Sequence, residues 1–249
     1  MSTLKFLHAA DLHLGRQFSG LLRTTEDIRA ILRHAGYHAW AQLVDTAVRE
    51  RVQFVALAGD VFHDANPPIG ARIAFKRGLE KLSEAGIPVY LALGNHDPLR
   101  TFPDSFHTMP GLHIFPAEPQ YLEPTSIEFD RGVVISGASF EKAAVTENLV
   151  RRFTRDPGID FAIGVLHTNV SGSVGHRDYA PCTLDDLLAA GMNAWCLGHV
   201  HSARILWQDP LVLYSGASQA AHPMETGPKG CWLVTVSDRG SAVPQFVPL

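Results

Sequence analysis

The chain has 249 residues, of which 46% are hydrophobic and 18% are charged, a composition typical of a packed globular protein and not of a disordered chain. The formal net charge of −4 argues against a basic nucleic-acid-binding module, so any contact with phosphate groups has to come from local features. The length, without a linker or an internal repeat, favours a single domain over residues 1–249.

The predicted elements alternate at the start of the chain. Apolar residues at helical spacing predict helices over residues 37–52 and 70–85, the second through Ile73, Leu79 and Leu82. Five short apolar runs predict buried strands. Three of them lie before, between and after these helices, and two lie later in the chain: LKFLHAA, QFVALAG, PVYLALG, FAIGVLH and AWCLG. After about residue 112 the runs shorten and turns become frequent, which predicts hairpin-connected strands. A mixed α/β sandwich with a βαβαβ opening is expected.

The first two strands end in loops that carry metal-ligand residue types. D-L-H places Asp11 and His13 two residues apart, so that on extended backbone both side chains leave on one side and can bind one cation. In G-D-V-F-H, Gly59 permits a sharp turn and Asp60 can offer one oxygen to each of two metals. For either pair alone, a capping aspartate or a simple turn is the commoner arrangement.

The other three strands end in the same way. In G-N-H-D, Asn95 can supply a neutral carbonyl oxygen to a metal, while His96 points the other way and is free to donate a proton. His167 ends the fourth strand, where a lone histidine is more often a hydrogen-bonded core group. G-H-V-H places His199 and His201 on the same side of the chain, so that each can reach a different metal of a close pair.

Taken together, the five loops predict a binuclear metal site, because the carboxyl ends of the strands are where α/β sheets build their sites. Carboxylate, amide and imidazole ligands suit borderline divalent ions, with manganese expected and iron or zinc as alternatives. The predicted ligands are Asp11, His13, Asp60, Asn95, His167, His199 and His201.

The order of the five loop motifs resembles the signature of the calcineurin-like metallophosphoesterases. From residue 11 to residue 201 the motifs are D-x-H, G-D-x-x-H, G-N-H-D, H and G-H-x-H. The resemblance implies a four-layer αββα sandwich of two mixed β-sheets flanked by helices, with two metals at the strand ends. It also implies a ligand set in which Asp60 bridges the metals, with Asp11, His13 and His201 on the first and Asn95, His167 and His199 on the second.

Within this superfamily, three segments are similar to the SbcD-like DNA double-strand-break repair nucleases: L-H-A-A-D-L-H-L-G, G-D-V-F-H and Y-S-G-A-S-Q at 214–219. Phosphatases of the superfamily would have Glu where this sequence has Asp97, giving G-N-H-E. At the position of His63 they would have an Asp followed by Arg and Gly. The resemblance implies hydrolysis of DNA phosphodiester bonds with two metals, His96 as proton donor, and His63 as a residue that helps to position the nucleic-acid backbone. A helix-start or core role is the alternative for His63.

The same resemblance implies partners. Members of this nuclease family usually continue into a DNA-capping domain and a segment that binds an ABC-type ATPase, whereas this sequence ends at Leu249. It corresponds either to the catalytic domain of a longer protein or to a compact relative. Expected partners are DNA as substrate and an ABC-type ATPase in a longer form or complex. The sequence leaves open whether the chain also dimerises through the helices near 37–52 and 70–85.

Two other functions use the same residues. A small-molecule or cyclic-nucleotide phosphodiesterase would employ the same metals and His96, and the net acidity favours it slightly. A scaffold that keeps the fold without activity usually has broken ligand positions, and here all are competent. Outside the predicted metal site, candidate phosphate contacts are Arg16, Arg151, Arg152, Arg155, His176 and Arg177, although clustered arginines more often form a solvated face. The remaining histidines have no motif spacing.

The cysteines and the hydropathy indicate the compartment. Cys182, Cys196 and Cys231 are odd in number and lack CxxC spacing, which predicts free thiols in a reducing environment. The opening apolar run is broken by His8 and Asp11, and no stretch approaches the roughly eighteen apolar residues of a membrane span. We therefore expect a cytoplasmic protein that does not enter a membrane.

Overall fold

The computed structural model describes residues 4–19, 25–124, 132–171 and 179–249. In these ranges the helices are α1 (Glu26–Glu50), α2 (Ile69–Glu84) and α3 (Leu184–Ala189). The strands are β1 (Leu4–Ala9), β2 (Phe54–Ala58), β3 (Val89–Ala92), β4 (Leu112–Ile114), β5 (Gln120–Leu122), β6 (Val133–Ala138), β7 (Phe161–His167), β8 (Ala194–Gly198), β9 (Arg204–Gln208), β10 (Leu211–Tyr214), β11 (Gly230–Val236) and β12 (Ala242–Pro248).

The strands form two mixed sheets of six strands each. The first has the order β12-β11-β1-β2-β3-β4 and the second β5-β6-β7-β8-β10-β9. β1 to β4 are parallel to one another, as are β6, β7, β8 and β10. α1 and α2 cover the outer face of the first sheet, and α3 packs on the outer face of the second. The predicted four-layer αββα sandwich is confirmed.

Successive residues of the central strands are buried on both faces. Phe6 and Phe54 stack with ring centroids 4.8 Å apart in the layer between the sheets, whereas Leu7 and Val55 pack beneath α1 and α2. A strand buried on both faces has no polar side, which explains why these segments are continuous apolar runs in the sequence. All five strands predicted from such runs are confirmed.

His8 on β1 is fully buried and connects the two sheets. Its Nδ1 lies 3.3 Å from the carbonyl oxygen of Ala56 on β2, and its Nε2 lies 3.1 Å from the carbonyl oxygen of Leu197 on β8. Burial lowers the pKa of His8 to about 4, although both carbonyl contacts act in the opposite direction. The ring is therefore neutral at pH 7, and its single N–H serves one of the two carbonyls at a time.

This buried imidazole predicts a loss of stability in acid. Between pH 6.5 and about 4 the unfolded chain binds a proton at His8 that the folded chain does not, so the free energy of unfolding falls as the pH falls, by up to about 3 kcal/mol. Urea unfolding gives the free energy of unfolding at each pH. In this range its slope against pH should be smaller for His8→Gln than for the unsubstituted protein, by the equivalent of up to one bound proton. Equal slopes would contradict the assignment.

The helix predicted over residues 37–52 is longer than expected. α1 begins at Glu26, where the Thr25 side chain accepts the N–H of Ile28. Ile28 and Ile31 are exposed, whereas Leu43 and Ala47 further along α1 are buried. α2 matches the predicted 70–85 to within one residue, but the assignment of Ile73 to its apolar face was wrong. The buried residues of α2 are Ala71, Phe75, Gly78, Leu79 and Leu82.

The prediction of hairpins after residue 112 is correct only in part. β9 with β10 and β11 with β12 are antiparallel neighbours, and β5 pairs antiparallel with β6. In contrast, β4 joins β3 in parallel and β6 joins β7 in parallel, because the chain passes from the first sheet to the second after β4. Cys182, Cys196 and Cys231 are buried free thiols, as predicted. No helix in the described ranges is both long and apolar enough to cross a membrane.

Candidate metal centre

The loops that follow β1, β2, β3, β7 and β8 meet at one edge of the sandwich. The backbone N–H of Asp11 donates to the carbonyl oxygen of Gly59 at 3.0 Å, and the N–H of His199 donates to the Asp11 carboxylate at 3.0 Å. His167 Nδ1 lies 2.9 Å from the carbonyl oxygen of Ala58. Since β1 to β3 belong to the first sheet and β7 and β8 to the second, both sheets contribute to this edge.

One group of side chains is formed by Asp11, His13 and His201, whose ligand atoms lie within 4.8 Å of one another. The Nε2 atoms of the two histidines are 3.1 Å apart. Each also faces Asp11 Oδ1, at 4.0 Å from His13 and 3.9 Å from His201. Two imidazole nitrogens and a carboxylate oxygen thus converge on one point.

A second group lies beside the first. Asp11, Asp60 and His167 also have ligand atoms within 4.8 Å of one another. His167 Nε2 is 3.1 Å from Asn95 Oδ1, and the ring of His199 lies 5.2 Å from that of His167. Asp60 Oδ2 is 3.5 Å from His167 Nε2 and 3.8 Å from His13 Nε2. The Asp60 carboxylate therefore lies between the two groups, and all seven predicted ligand positions are brought together.

His63 and His96 adjoin these groups. Their rings stack with centroids 5.0 Å apart, and His96 is edge-on to His13 at 4.9 Å. His96 Nδ1 lies 2.6 Å from the carbonyl oxygen of His63; because a carbonyl oxygen only accepts, Nδ1 carries a proton. The ligand atoms of His13, His63 and His96 lie within 4.8 Å of one another, so geometry alone leaves His96 open to either a ligand or a proton-transfer role.

The backbone of these loops is not extended, contrary to the expectation for D-x-H. Asp11 and His13 have φ of 52° and 42°, and Asp60 and His199 have φ of 53° and 98°. The left-handed turns are fixed by main-chain pairing between loops, in which His13 N–H donates to the carbonyl oxygen of Asp60 at 2.9 Å. Gly59 is required for space as well as for φ, because a Cβ there would lie 2.4 Å from His167 Nδ1.

Asp97 has a structural role that the motifs did not predict. Its buried carboxylate accepts the backbone N–H groups of Val61 at 2.6 Å, Gly94 at 3.0 Å, and Asp60 and Phe62 at 3.2 Å each. These contacts fix the β2 loop, which carries Asp60, against the β3 loop. The only sequence signal was its adjacency to His96 in G-N-H-D.

The predicted phosphate contacts lie in different settings. Arg16 is close to the centre, with a guanidinium nitrogen 3.9 Å from Glu225 Oε1. Glu225 itself was not predicted, since it belongs to no motif. The other arginines are engaged by protein groups: Arg151 with Asp186, Arg152 with Glu118 and Glu147, and Arg155 with the carbonyl oxygens of Gly191, Ile159 and Asp160. His176 and Arg177 lie outside the described residues.

The electrostatics of the centre fit a divalent cation. Burial raises the pKa of Asp11 and of Asp60, and burial lowers the pKa of His13 and of His167. Ionised carboxylates are unfavourable in such a site unless a positive charge lies among them, whereas neutral imidazoles are the form that ligates metals. His13 Nδ1 is also buried without a hydrogen-bond partner among the described residues.

Removal of metal should therefore destabilise the fold. A ligand that binds only the native state stabilises it by roughly 2.7 kcal/mol at a hundredfold excess over Kd, which for a chain of this size corresponds to a shift of about 5–10 °C in Tm. Thermal unfolding with Mn²⁺ and after chelation measures this shift, and Asp60→Asn should show a much smaller one. An unchanged Tm after verified metal removal would contradict a preformed centre.

Curated relatives match most of this chain. The sequence is 40% identical over 243 residues to an uncharacterized metallophosphoesterase, YhaO, of Bacillus subtilis, covering 96% of this chain and 59% of the relative. It is 28% identical to the DNA double-strand break repair protein Mre11 of Sulfurisphaera tokodaii, covering 84% and 52%. A shorter match, 32% identical, covers 44% of this chain and 25% of the SbcD component of the nuclease SbcCD of Escherichia coli. The chain thus spans about half the length of the first two relatives.

Comparison with solved structures and family models agrees with the fold. A dimetal phosphatase from Danio rerio superposes with a TM-score of 0.51 at 13% identity, covering 98% of this chain and 99% of that one. Residues 4–203 match the family model of the calcineurin-like phosphoesterases, and the similarity to double-strand-break repair nucleases predicted from the motifs is confirmed at modest identity. The chain therefore belongs to the calcineurin-like phosphoesterase family.

Proposed function

We propose that this chain is a nuclease of DNA repair that hydrolyses phosphodiester bonds with two divalent cations, manganese being the preferred ion. The observation that carries the proposal is the stacked pair of His63 and His96 beside His13. Two imidazoles thus lie beside the predicted ligands, and we propose that they act on a phosphodiester bound by the cations. The relatives named for double-strand break repair and for nuclease activity support the choice of DNA as substrate.

In this proposal, the predicted ligands would hold the two cations, one beside each group of side chains, with Asp60 within reach of both groups. The cations, when bound, supply Lewis-acid polarisation of the phosphoryl oxygens and lower the pKa of a water. Because the His63 carbonyl already holds a proton on Nδ1 of His96, His96 donates the Nε2 proton to the leaving oxygen as the doubly protonated imidazolium and is left neutral. Asp97 keeps the Asp60 loop in place through three N–H contacts, and a fourth, from Gly94, lies within its own loop.

The test compares substrates at one manganese and one salt concentration. Linear duplex DNA, nicked DNA, bis-p-nitrophenyl phosphate and a cyclic nucleotide are offered to the purified protein, with Asp60→Asn as the inactive control. We expect manganese-dependent DNA cleavage that the control lacks. Good activity on the cyclic nucleotide without DNA cleavage would favour a small-molecule phosphodiesterase. No turnover of any substrate with cations bound would indicate an inactive scaffold.

The partners of a whole nuclease are part of the same proposal. Because the matched relatives are longer than this chain, an ABC-type ATPase that binds a longer form is proposed from the family resemblance. A homodimer through α1 and α2 is proposed as well, and exposed Ile28, Ile31, Ile69 and Ile73 on these helices are consistent with it. Sedimentation of the purified chain tests the homodimer directly.

A further inference from the structure

The segment Y-S-G-A-S-Q begins at the last residue of β10 and leads into the loop before β11, which continues to Glu225. None of the loop residues has a role in the proposed chemistry. The Glu225 side chain is 11% exposed. Its Oε1 lies 2.8 Å from Nδ1 of His201, and its Oε2 accepts the backbone N–H of Ala221 at 2.8 Å. Both carboxylate oxygens are therefore committed to protein donors.

The contact with His201 determines which nitrogen of that ring faces the metal centre. A carboxylate accepts only, so Nδ1 of His201 carries the proton and Nε2 presents its lone pair. That Nε2 lies 3.1 Å from His13 Nε2 and 3.9 Å from Asp11 Oδ1. A histidine that binds a metal through one nitrogen commonly donates the other N–H to a carboxylate, which fixes its tautomer and orientation.

The surrounding contacts hold Glu225 in place. The carbonyl oxygen of Ala221 accepts the backbone N–H of Ser19 at 2.8 Å, which ties this loop to the segment after His13. At the other end of the loop, Lys229 Nζ donates to the carbonyl oxygen of His201 at 3.1 Å. Glu225 therefore sits where the loops after β1, β8 and β10 join, and its carboxylate is anchored independently of any cation.

We infer that Glu225 is a positioning residue that fixes His201 for one cation position only, the one formed by Asp11, His13 and His201. The position beside His167 does not depend on it, because Glu225 contacts none of the side chains of that group in the described residues. The inference rests on the metal-dependent part of the proposed function, but it concerns cation affinity and not the identity of the substrate.

The test is Mn²⁺ binding to metal-stripped protein, followed by calorimetry or electron paramagnetic resonance without substrate. Glu225→Ala should weaken one of the two equivalents by about 10–100-fold, the range for loss of such a carboxylate partner, and leave the other within about twofold. Glu225→Gln, which still accepts the Nδ1 proton, should recover part of the loss. Glu80→Ala, on the exposed face of α2, is the matched control.

Unchanged affinity at both positions, or equal weakening of both, would overturn the inference. If Glu225→Ala does not fold, the tautomer provides a second measurement: nitrogen-15 NMR of the metal-free unsubstituted protein and of Glu225→Gln at pH 9 should show His201 protonated at Nδ1. A His201 protonated at Nε2 would overturn it. If Glu225→Ala weakens one cation position but the unsubstituted protein does not cleave DNA, the nuclease proposal is rejected and this inference still stands.

Discussion

His96→Ala should lower turnover of DNA and of a small diester alike by about 10²–10⁴-fold, the usual contribution of a positioned general acid, while two cations stay bound. Turnover can be lost without loss of metal because His96 contacts Asp60 through its backbone N–H, at 3.0 Å from Oδ1, and the alanine variant keeps that N–H. The ring, in contrast, is edge-on to His13 and is held by the carbonyl oxygen of His63.

Single-turnover kinetics and metal content are measured on the same preparations. His38→Ala, which removes an exposed histidine of α1, is the control for loss of an imidazole far from the centre. A His96→Ala protein that binds one cation fewer would show that this residue is a ligand. The proximity of the His13, His63 and His96 nitrogens makes that outcome the relevant alternative.

His63→Ser should separate polymer from small substrates. We expect DNA cleavage to fall by roughly 10–10³-fold, about 1.4 kcal/mol of barrier for each factor of ten, with hydrolysis of bis-p-nitrophenyl phosphate largely retained. His63 as a residue is only partly buried, but its Nδ1 is buried and has no hydrogen-bond partner among the described residues, so the contact with a phosphate or sugar of a bound strand is assigned to Nε2. The serine variant keeps the main-chain carbonyl that accepts from His96 Nδ1.

His63→Phe is the matched variant, because it keeps an aromatic ring against His96 and removes only the nitrogen atoms. It should resemble His63→Ser on DNA if the nitrogens act on the substrate. Restoration of DNA cleavage by phenylalanine would assign His63 to support of His96 by stacking. Equal losses on both substrates in His63→Ser would mean that His63 supports the metal site itself. Both assays need one salt concentration, because contacts with the phosphate backbone weaken steeply with salt.

The parts of the fold that the sequence predicted are those with a strong burial signal. Strands buried on both faces appear as apolar runs, and the ligand-rich loops follow from their ends. The helix predicted from residue 37 missed the first turns of α1, where Ile28 and Ile31 are exposed and do not contribute to the core. β9 and β12 were not predicted as strands, since their residues are mostly half-buried or exposed. The parallel pairing of β4 depends on contacts distant in sequence, which periodicity does not encode.

The site was predicted through its motifs but not through its supporting residues. Asp97 belongs to G-N-H-D, but its contacts with backbone N–H groups of the β2 loop depend on the fold. Glu225, which contacts a ring nitrogen of His201, belongs to no motif. The same limit applies to the backbone: D-x-H suggests an extended pair, whereas main-chain bonds between the β1 and β2 loops impose left-handed φ at Asp11 and His13.

Four of the predicted ligands have positive φ: Asp11, His13, Asp60 and His199. Selection for a stable fold and selection for activity therefore favour different residues at these positions. Each non-glycine residue held there costs on the order of 1 kcal/mol or more, a cost that glycine avoids and asparagine reduces. A mutant library selected for thermal stability in the presence of a chelator should therefore accumulate Gly or Asn at His13 and His199. At Asp11 and Asp60 it should accumulate Asn, which still accepts the backbone N–H of His199 or of His96. Stability selection without selection for activity would thus remove the predicted ligands before it altered the core.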